Sequence, residues 1–255
     1  MLSIITVCFN SEKTITRTLE SVLNQKILPY EYILIDGGSE DNTVDIIKKY
    51  EAIFLRKNVL FKWISEKDKG IYDAMNKGVS LVSGDWVHFL NSDDYYVNNY
   101  SIESIVYYLN TSKADVVYGN LIKGDLYYQK SMSGIKKNRL SLNMLISCPV
   151  QQPVTFYKRS VFNAGYSFDI NYKISADYKM FVQLILNKVL FQYVPVYITF
   201  FTLGGVSTKR QNDLVKEEDL KLLRECNVST FFMRLKHIPI FRKFVIVLFD
   251  LLSKC

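Results

Sequence analysis

The sequence predicts an α/β protein built on a doubly wound sheet flanked by helices, and three observations carry that prediction. Short β-branched apolar runs alternate with segments of helical period through the first 120 residues, the order that builds parallel crossovers. Acidic or amide side chains stand just past the ends of several of those runs, where open sheets of this kind gather ligands. The chain's 255 residues are 49% hydrophobic with only 5 prolines, enough to bury a sizeable core and too apolar for a disordered chain.

Ser3 to Phe9 is the first strand, ending at Asn10-Ser11. Ser11 is expected to cap a helix whose Ile15, Leu19, Val22 and Leu23 share one face. Tyr32 to Ile35 is the second strand, followed by Asp36-Gly37-Gly38-Ser39 and a capped helix from about Asn42 to Tyr50. An acid before glycines at a strand end can hydrogen-bond a base or ribose, or can simply close a turn. Phe61 to Ile64 is the third strand. The polar stretch Glu66 to Gly78 behind it keeps a helical period, with Ile71, Met75, Val79 and Val82 turned inward. Asn76 stands out there, because an amide inside a helix competes with the backbone unless it has a partner of its own. A strand from Asp85 to Leu90 comes next, then a helix carrying Ile102, Ile105, Val106 and Leu109, then a strand from Ala114 to Tyr118 ending at Gly119-Asn120. This topology should collect Asn10, Asp36, Asp68 and Asp93 along one rim.

Beyond Asp125 the alternation weakens. A polar aromatic strand, the basic stretch Lys136-Lys137-Asn138-Arg139 and a helical run from Leu140 to Ile146 precede an extended connector, Pro149 to Pro153, and a strand from Val154 to Tyr157. Ile174-Ser175-Ala176-Asp177 opens a helix reaching about Asn187, with Ser175 as cap. Asp177 falls in the first turn, where an acid complements the helix dipole. Leu190 to Phe201 reads as a long strand, Gly204-Gly205 as a loop, and Asp213 to Cys226 as a charged surface helix. From Thr230 to Lys254, apolar residues alternate with Arg234, Lys236, Arg242, Lys243 and Lys254 against the single acid Asp250. Such a basic amphipathic pair of helices suits an anionic membrane surface, or packs on the core or on a partner subunit.

Composition narrows the function. The formal net charge of +7 fits an anionic partner without choosing one. Cys8, Cys148, Cys226 and Cys255 are widely spaced, which argues for reduced thiols in the cytoplasm rather than disulfides or a zinc site. No Gly-x-Gly-x-x-Gly follows the first strand, no P-loop motif occurs, and no nucleic-acid recognition motif appears. Neither a signal peptide nor an uninterrupted apolar span is apparent.

The most pointed chemistry lies in Leu90-Asn91-Ser92-Asp93-Asp94. Adjacent carboxylates repel and lose hydration when partly buried, so an arrangement that keeps both charged supplies a counter-ion. Oxygen ligands suit Mg²⁺ or Mn²⁺ bridged to phosphate. The alternative is a solvated turn or helix cap.

The ordered motifs Ser3 to Asn10, Ile35 to Ser39, Asp68 to Gly78, Leu90 to Asp94 and Ser175-Ala176-Asp177, with Gln151-Gln152-Pro153 and Gly204 to Ser207, resemble the family 2 inverting glycosyltransferases. The resemblance is to bacterial members that build O-antigen, capsule or exopolysaccharide. It implies a GT-A fold, a Rossmann-like mixed sheet, over residues 1–207, with a nucleotide-sugar half (about 1–120) and an acceptor half (121–207). Residues 208–255 would be a C-terminal helical extension. It further implies that Thr6, Phe9, Asn10 and Asp36 cradle uridine, and that Asp68, Gly70 and Asn76 line the donor. Asn91 and Ser92 would touch the nucleotide, and Asp93 with Asp94 would hold Mn²⁺ or Mg²⁺. Asp177 would be the general base. Two positions depart from the family pattern: Asn91 replaces the first acid of the DxD motif, and Ala176 replaces an acid that often precedes the base. The implied partners are a UDP-sugar donor, a glycan acceptor linked to polyprenyl diphosphate, and the inner face of the cytoplasmic membrane, with no nucleic acid. A non-catalytic nucleotide-sugar-binding protein is the alternative. A sugar nucleotidyltransferase is disfavoured, because Asn10-Ser11-Glu12-Lys13 stands where a glycine-rich basic loop would hold a triphosphate.

Overall fold

A computed structural model of the chain describes residues 1–125, 128–132, 150–203 and 212–226. Four parallel strands, β1 (Leu2–Cys8), β2 (Glu31–Asp36), β3 (Leu60–Ser65) and β4 (Trp86–Phe89), lie side by side in the order β3-β2-β1-β4. Helices α1 (Ile15–Leu23), α2 (Thr43–Arg56) and α3 (Ile71–Ser80) make the crossovers between them. All residues of β1, β2 and β4 are buried, because helices cover both faces of a parallel sheet; that is why these segments read as unbroken apolar runs.

The sheet continues beyond β4 with mixed polarity. In chain order the remaining elements are β5 (Tyr95–Tyr96), α4 (Ser101–Thr111), β6 (Val116–Gly124), β7 (Gln129–Met132), β8 (Thr155–Lys158), α5 (Arg159–Asn163), α6 (Ala176–Leu186), β9 (Phe191–Thr202) and α7 (Asn212–Glu225). Past β4 the strand order is β8-β6-β9-β5, with β7 paired to β6. β8 runs antiparallel between β4 and β6, and β9 runs parallel to β6. The alternation of side chains along each strand splits the core in two. Ile5, Val7, Ile33 and Ile35 pack with α3, α6 and α7 on one face, while Ile4, Tyr32 and Leu34 pack with α1, α2 and α4 on the other.

Several expectations are corrected. Ser11 does not cap α1, which starts at Ile15 behind Thr14 with no side-chain cap; the Ser11 hydroxyl is paired with Ser92 instead. The strand expected to end at Tyr118 runs on to Gly124, because β6 follows β9 through an irregular register at Tyr118 to Leu121. Asn120 is therefore a buried strand residue whose Oδ1 accepts from the Tyr193 hydroxyl at 3.0 Å. The helix expected at Asp213 to Cys226 is no mere surface element. Leu222 and Leu223 are fully buried in the core of the sheet's α6 face, so α7 packs into that core.

Cys8 and Cys226 are free thiols. Among the described residues no helix is long and apolar enough to cross a membrane. The segments Lys136 to Arg139, Leu140 to Ile146, Gly204 to Ser207 and Thr230 to Lys254, for which the sequence sets expectations, lie outside the described residues.

Candidate active site

The C-terminal ends of β1 to β4 share one edge because the strands are parallel, and hydrogen bonds knit the loops there into a continuous rim. Past β1, Phe9 is 60% exposed and Asn10 adopts a left-handed φ of 48°, a conformation that asparagine tolerates. Asn10 donates its N–H to Ser39 Oγ at 2.7 Å, and its Oδ1 accepts from the Glu40 N–H at 2.9 Å. Asp36 is fully buried at the end of β2. Its Oδ2 accepts from the N–H groups of Gly38 and Ser39 (3.1 and 2.9 Å) and from the Ser65 hydroxyl (2.7 Å), while Oδ1 takes the Ser39 hydroxyl. This carboxylate organises the loop around itself.

Gly37 sits where a Cβ would lie 2.5 Å from Asp68 Oδ2 and 3.5 Å from the Phe9 ring, so Phe9, Gly37 and Asp68 line one recess that has no room for a side chain. Asp68 Oδ1 accepts from the Gly70 N–H at 2.8 Å, closing the turn into α3. Tyr72, in the first turn of α3, puts its hydroxyl against the Ile174 carbonyl and 3.2 Å from Asp177 Oδ1. Asp177 thereby joins the rim.

At the other end, the turn after β4 closes with the Asp94 N–H donating to the Asn91 carbonyl at 3.0 Å. The hydroxyls of Ser92 and Ser11 pair at 2.9 Å. The Asp93 carbonyl accepts from Arg17 Nη2 (3.0 Å) and from the Thr202 hydroxyl (2.6 Å), and Asp94 Oδ1 accepts from the Thr202 N–H (3.0 Å). Asp94 Oδ2 and Asn91 Oδ1 are buried without a hydrogen-bond partner. Burial raises the pKa of Asp93, and burial with the adjacent Asp93 charge raises that of Asp94 further, against a smaller opposing effect of Arg17. Asp93 and Asp94 could hold a cation here, since hard oxygen donors with too little counter-charge suit Mg²⁺ or Mn²⁺. Among the described residues no group of three or more His, Cys, Asp and Glu side chains could hold a metal, so phosphate oxygens would have to complete the ligand set.

Asp177 differs in kind. Burial pushes its pKa up to about 6, against the Tyr178 N–H and the Tyr72 hydroxyl, which stabilise the anion; the Asp219 charge adds to the rise. A carboxyl of that strength can hold or give up a proton near neutral pH.

Two of the candidate residues bond within the fold. Thr6 is fully buried, with its hydroxyl donating to the Leu90 carbonyl at 2.6 Å and paired with the Tyr32 hydroxyl at 2.9 Å. Asn76 commits both ends of its amide to the backbone of Phe168, at 2.7 and 3.0 Å. Both side chains brace the fold, Thr6 from within the core and Asn76 with a second N–H and a second acceptor position still open. Sequence reasoning also passed over Tyr72, Arg17, Thr202 and Glu218. Tyr72 lies within a quoted motif and could have been found. The sequence gives no sign that Arg17 and Thr202 meet, because they are 185 positions apart.

A mixed sheet with an acidic turn beyond a central strand, and a weakly acidic carboxyl on the same rim, defines the architecture of GT-A glycosyltransferases. The chain belongs to glycosyl transferase family 2, whose profile matches residues 3–174. It is 27% identical over 226 residues to a PGL/p-HBAD biosynthesis glycosyltransferase of Mycobacterium tuberculosis, covering 88% of this chain and 84% of the relative. It is 25% identical over 231 residues to the Escherichia coli UDP-Glc:alpha-D-GlcNAc-diphosphoundecaprenol beta-1,3-glucosyltransferase WfaP, covering 86% and 85%. Among solved structures, S. aureus TarS 1-349 in complex with UDP-GlcNAc superposes with a TM-score of 0.70 at 20% identity. That match covers 88% of this chain and 65% of TarS 1-349, so the chain spans just under two thirds of that structure.

Proposed function

We propose that the chain transfers a sugar, with inversion, from a UDP-sugar to a hydroxyl of a glycan carried on a polyprenyl diphosphate, using Mn²⁺ or Mg²⁺. The observation that carries this reading is the pairing of unlike carboxyls on one rim: a doubly acidic turn at Asp93-Asp94 and a single weak acid at Asp177, tied to the donor side through Tyr72. The donor and acceptor classes take their support from the WfaP relative, whose name includes a UDP-sugar and a diphosphoundecaprenol acceptor.

In this reading Asp93, with Asp94 behind it, would hold the ion, which when bound neutralises charge on the departing diphosphate. Phe9, Asn10, Asp36 and its loop shape the nucleoside end, with Asp68 and Gly70 beside the sugar. Asn91 offers its unpaired Oδ1 where the family pattern has an acid, and an amide oxygen can still accept a ribose hydroxyl. Asp177 accepts the proton of the attacking hydroxyl as the new glycosidic bond forms on the face opposite the leaving group. One base and one displacement give inversion without a covalent intermediate.

The test is UDP release from UDP-glucose and UDP-N-acetylglucosamine with Mn²⁺, using a polyprenyl-diphosphate-linked N-acetylglucosamine acceptor. Asp177→Asn should keep UDP binding and lower turnover by about 10²-fold or more; parental turnover would remove the base assignment. Calorimetry of Asp93→Ala should show weakened UDP binding that no longer responds to EDTA. Retention of full EDTA-sensitive affinity would remove the ion from Asp93.

A further inference from the structure

Asp177 stands two residues beyond a segment that α7 holds in place. Residues 173–175 lead into α6, and Ser175 precedes that helix without a side-chain cap. The free N–H groups at such an entry need acceptors. Glu218 supplies them from another helix: Oε1 accepts the Lys173 N–H at 2.7 Å, and Oε2 accepts those of Ile174 and Ser175, each at 2.9 Å. Asp219 accepts the Ser175 hydroxyl at 2.9 Å. Two turns along, Glu225 takes the Tyr172 hydroxyl at 2.8 Å and the Lys179 ammonium. Glu218, Leu222 and Glu225 fall at i, i+4 and i+7 on one face of α7, with Asp219 beside it.

Glu218 is only 8% exposed, and a carboxylate so buried is tolerable because three backbone donors surround it. From the opposite side Tyr72 reaches the carbonyl of Ile174, whose N–H Glu218 binds. The segment is therefore gripped from α3 and α7 together. α7 lies outside the stretch of the chain that the family profile matches.

We propose that Glu218 and Asp219 are positioning residues for Asp177: Glu218 fixes the backbone that aims its carboxyl, and Asp219 faces it with a second negative charge. This rests on Asp177 being the base. Among the described residues, the polar groups acting on the Asp177 carboxyl are Tyr72 from α3, Asp219 from α7, and the N–H groups of Tyr178 and of Asp177 itself; the Asp219 charge raises its pKa, and the others lower it.

Glu218→Gln puts an amide donor against N–H groups and should loosen the turn. Its kcat for UDP release should fall by about 10-fold or more, with the KM for the UDP-sugar within about twofold, since misplacement of a reacting group acts on the chemical step. Asp219→Asn keeps an acceptor for the Ser175 hydroxyl and removes the charge, so the acid limb of kcat/KM should move to lower pH. Tyr72→Phe should move it to higher pH. Carbon-13 NMR titration of the Asp177 carboxyl, assigned by its absence in Asp177→Asn, reads the same two shifts in the purified full chain without turnover. Parental kcat in Glu218→Gln together with an unmoved Asp177 titration in Asp219→Asn would overturn the proposal, even with Asp177→Asn inert. An active Asp177→Asn would instead overturn the base reading on which it rests.

Discussion

Single side chains along the rim divide into those that shape it and those left able to act, and only hydrogen-bond accounting tells them apart. Asp36 and Asp93 look alike in sequence, each an acid just past a buried strand. Asp36 spends its oxygens on the loop behind it and on Ser65 of β3, whereas Asp93 is anchored through its backbone carbonyl by Arg17 and Thr202. The positions of these acids were legible from strand ends. Their division of labour was not, because the partners lie far away in the chain. Thr6 and Asn76 show the same limit, since motif membership does not reveal which hydroxyl or amide also bonds within the fold. Thr202 carries the consequence at this scale. Thr202→Val removes the hydroxyl that bonds the Asp93 carbonyl but keeps the N–H to Asp94. With a net worth of about 1 kcal/mol for such a bond, the Mn²⁺ concentration giving half-maximal UDP binding should rise about fivefold. An unchanged Mn²⁺ titration would show that the turn holds its shape without this clamp.

Elements were legible where periodicity is strong. β1 to β4 and α1 to α4 follow from alternating apolar runs and helical spacing, and the rim follows from their order. The caps were not legible: Ser175 stands at the N-cap of α6 but gives its hydroxyl to Asp219, and Ser11 lies three residues before the Thr14 cap position of α1 with its hydroxyl paired to Ser92. α7 was misread for a related reason, since its Glu and Lys residues suggest solvent while Glu218 serves as an internal acceptor. How closely an element packs is also hidden in sequence. Gly78 in α3 lies where a Cβ would be 2.6 Å from Ile5 Cγ2, on a fully buried β-branched side chain that has no room to yield. In an open helix, Gly→Ala would stabilise by about 1 kcal/mol. Here overpacking of about 1–3 kcal/mol opposes it, so Gly78→Ala should be neutral to destabilising by about 2 kcal/mol. A rise in the urea midpoint would mean that α3 can lift from the sheet at little cost.

For the whole molecule, the same burial that suits Asp177 to base chemistry sets it against stability. Its folded pKa is raised to about 6 from 3.8, so its protonated form is favoured in the fold; that contribution is full below about pH 4 and lost as pH rises through 6. His88 works in the opposite direction. Buried against Phe156, with Nε2–H toward the Pro153 carbonyl and Nδ1 toward the Tyr96 hydroxyl, it is kept neutral, and its pKa is lowered to about 4 from 6.5. Its contribution is full above pH 6.5 and lost as pH falls toward 4. Each shift is worth about 3 kcal/mol, so between pH 4 and 6.5 the two nearly cancel. Asp177→Asn removes one side of that balance. At pH 7 the variant should be more stable than the parent by as much as about 3 kcal/mol, because an ionised buried carboxyl has become a neutral amide that can still accept from Tyr72 and Tyr178. On acidification to pH 4 the advantage should vanish, while the variant alone shows the His88 loss. Asp93, Asp94 and Glu31, whose pKa lies at about 2, are common to both proteins and drop out of the difference. Urea unfolding of the two chains at pH 7, 5.5 and 4 measures it. Equal stability at pH 7 would mean that Asp177 ionises in the fold as readily as in water, and a base tuned by burial would no longer describe it.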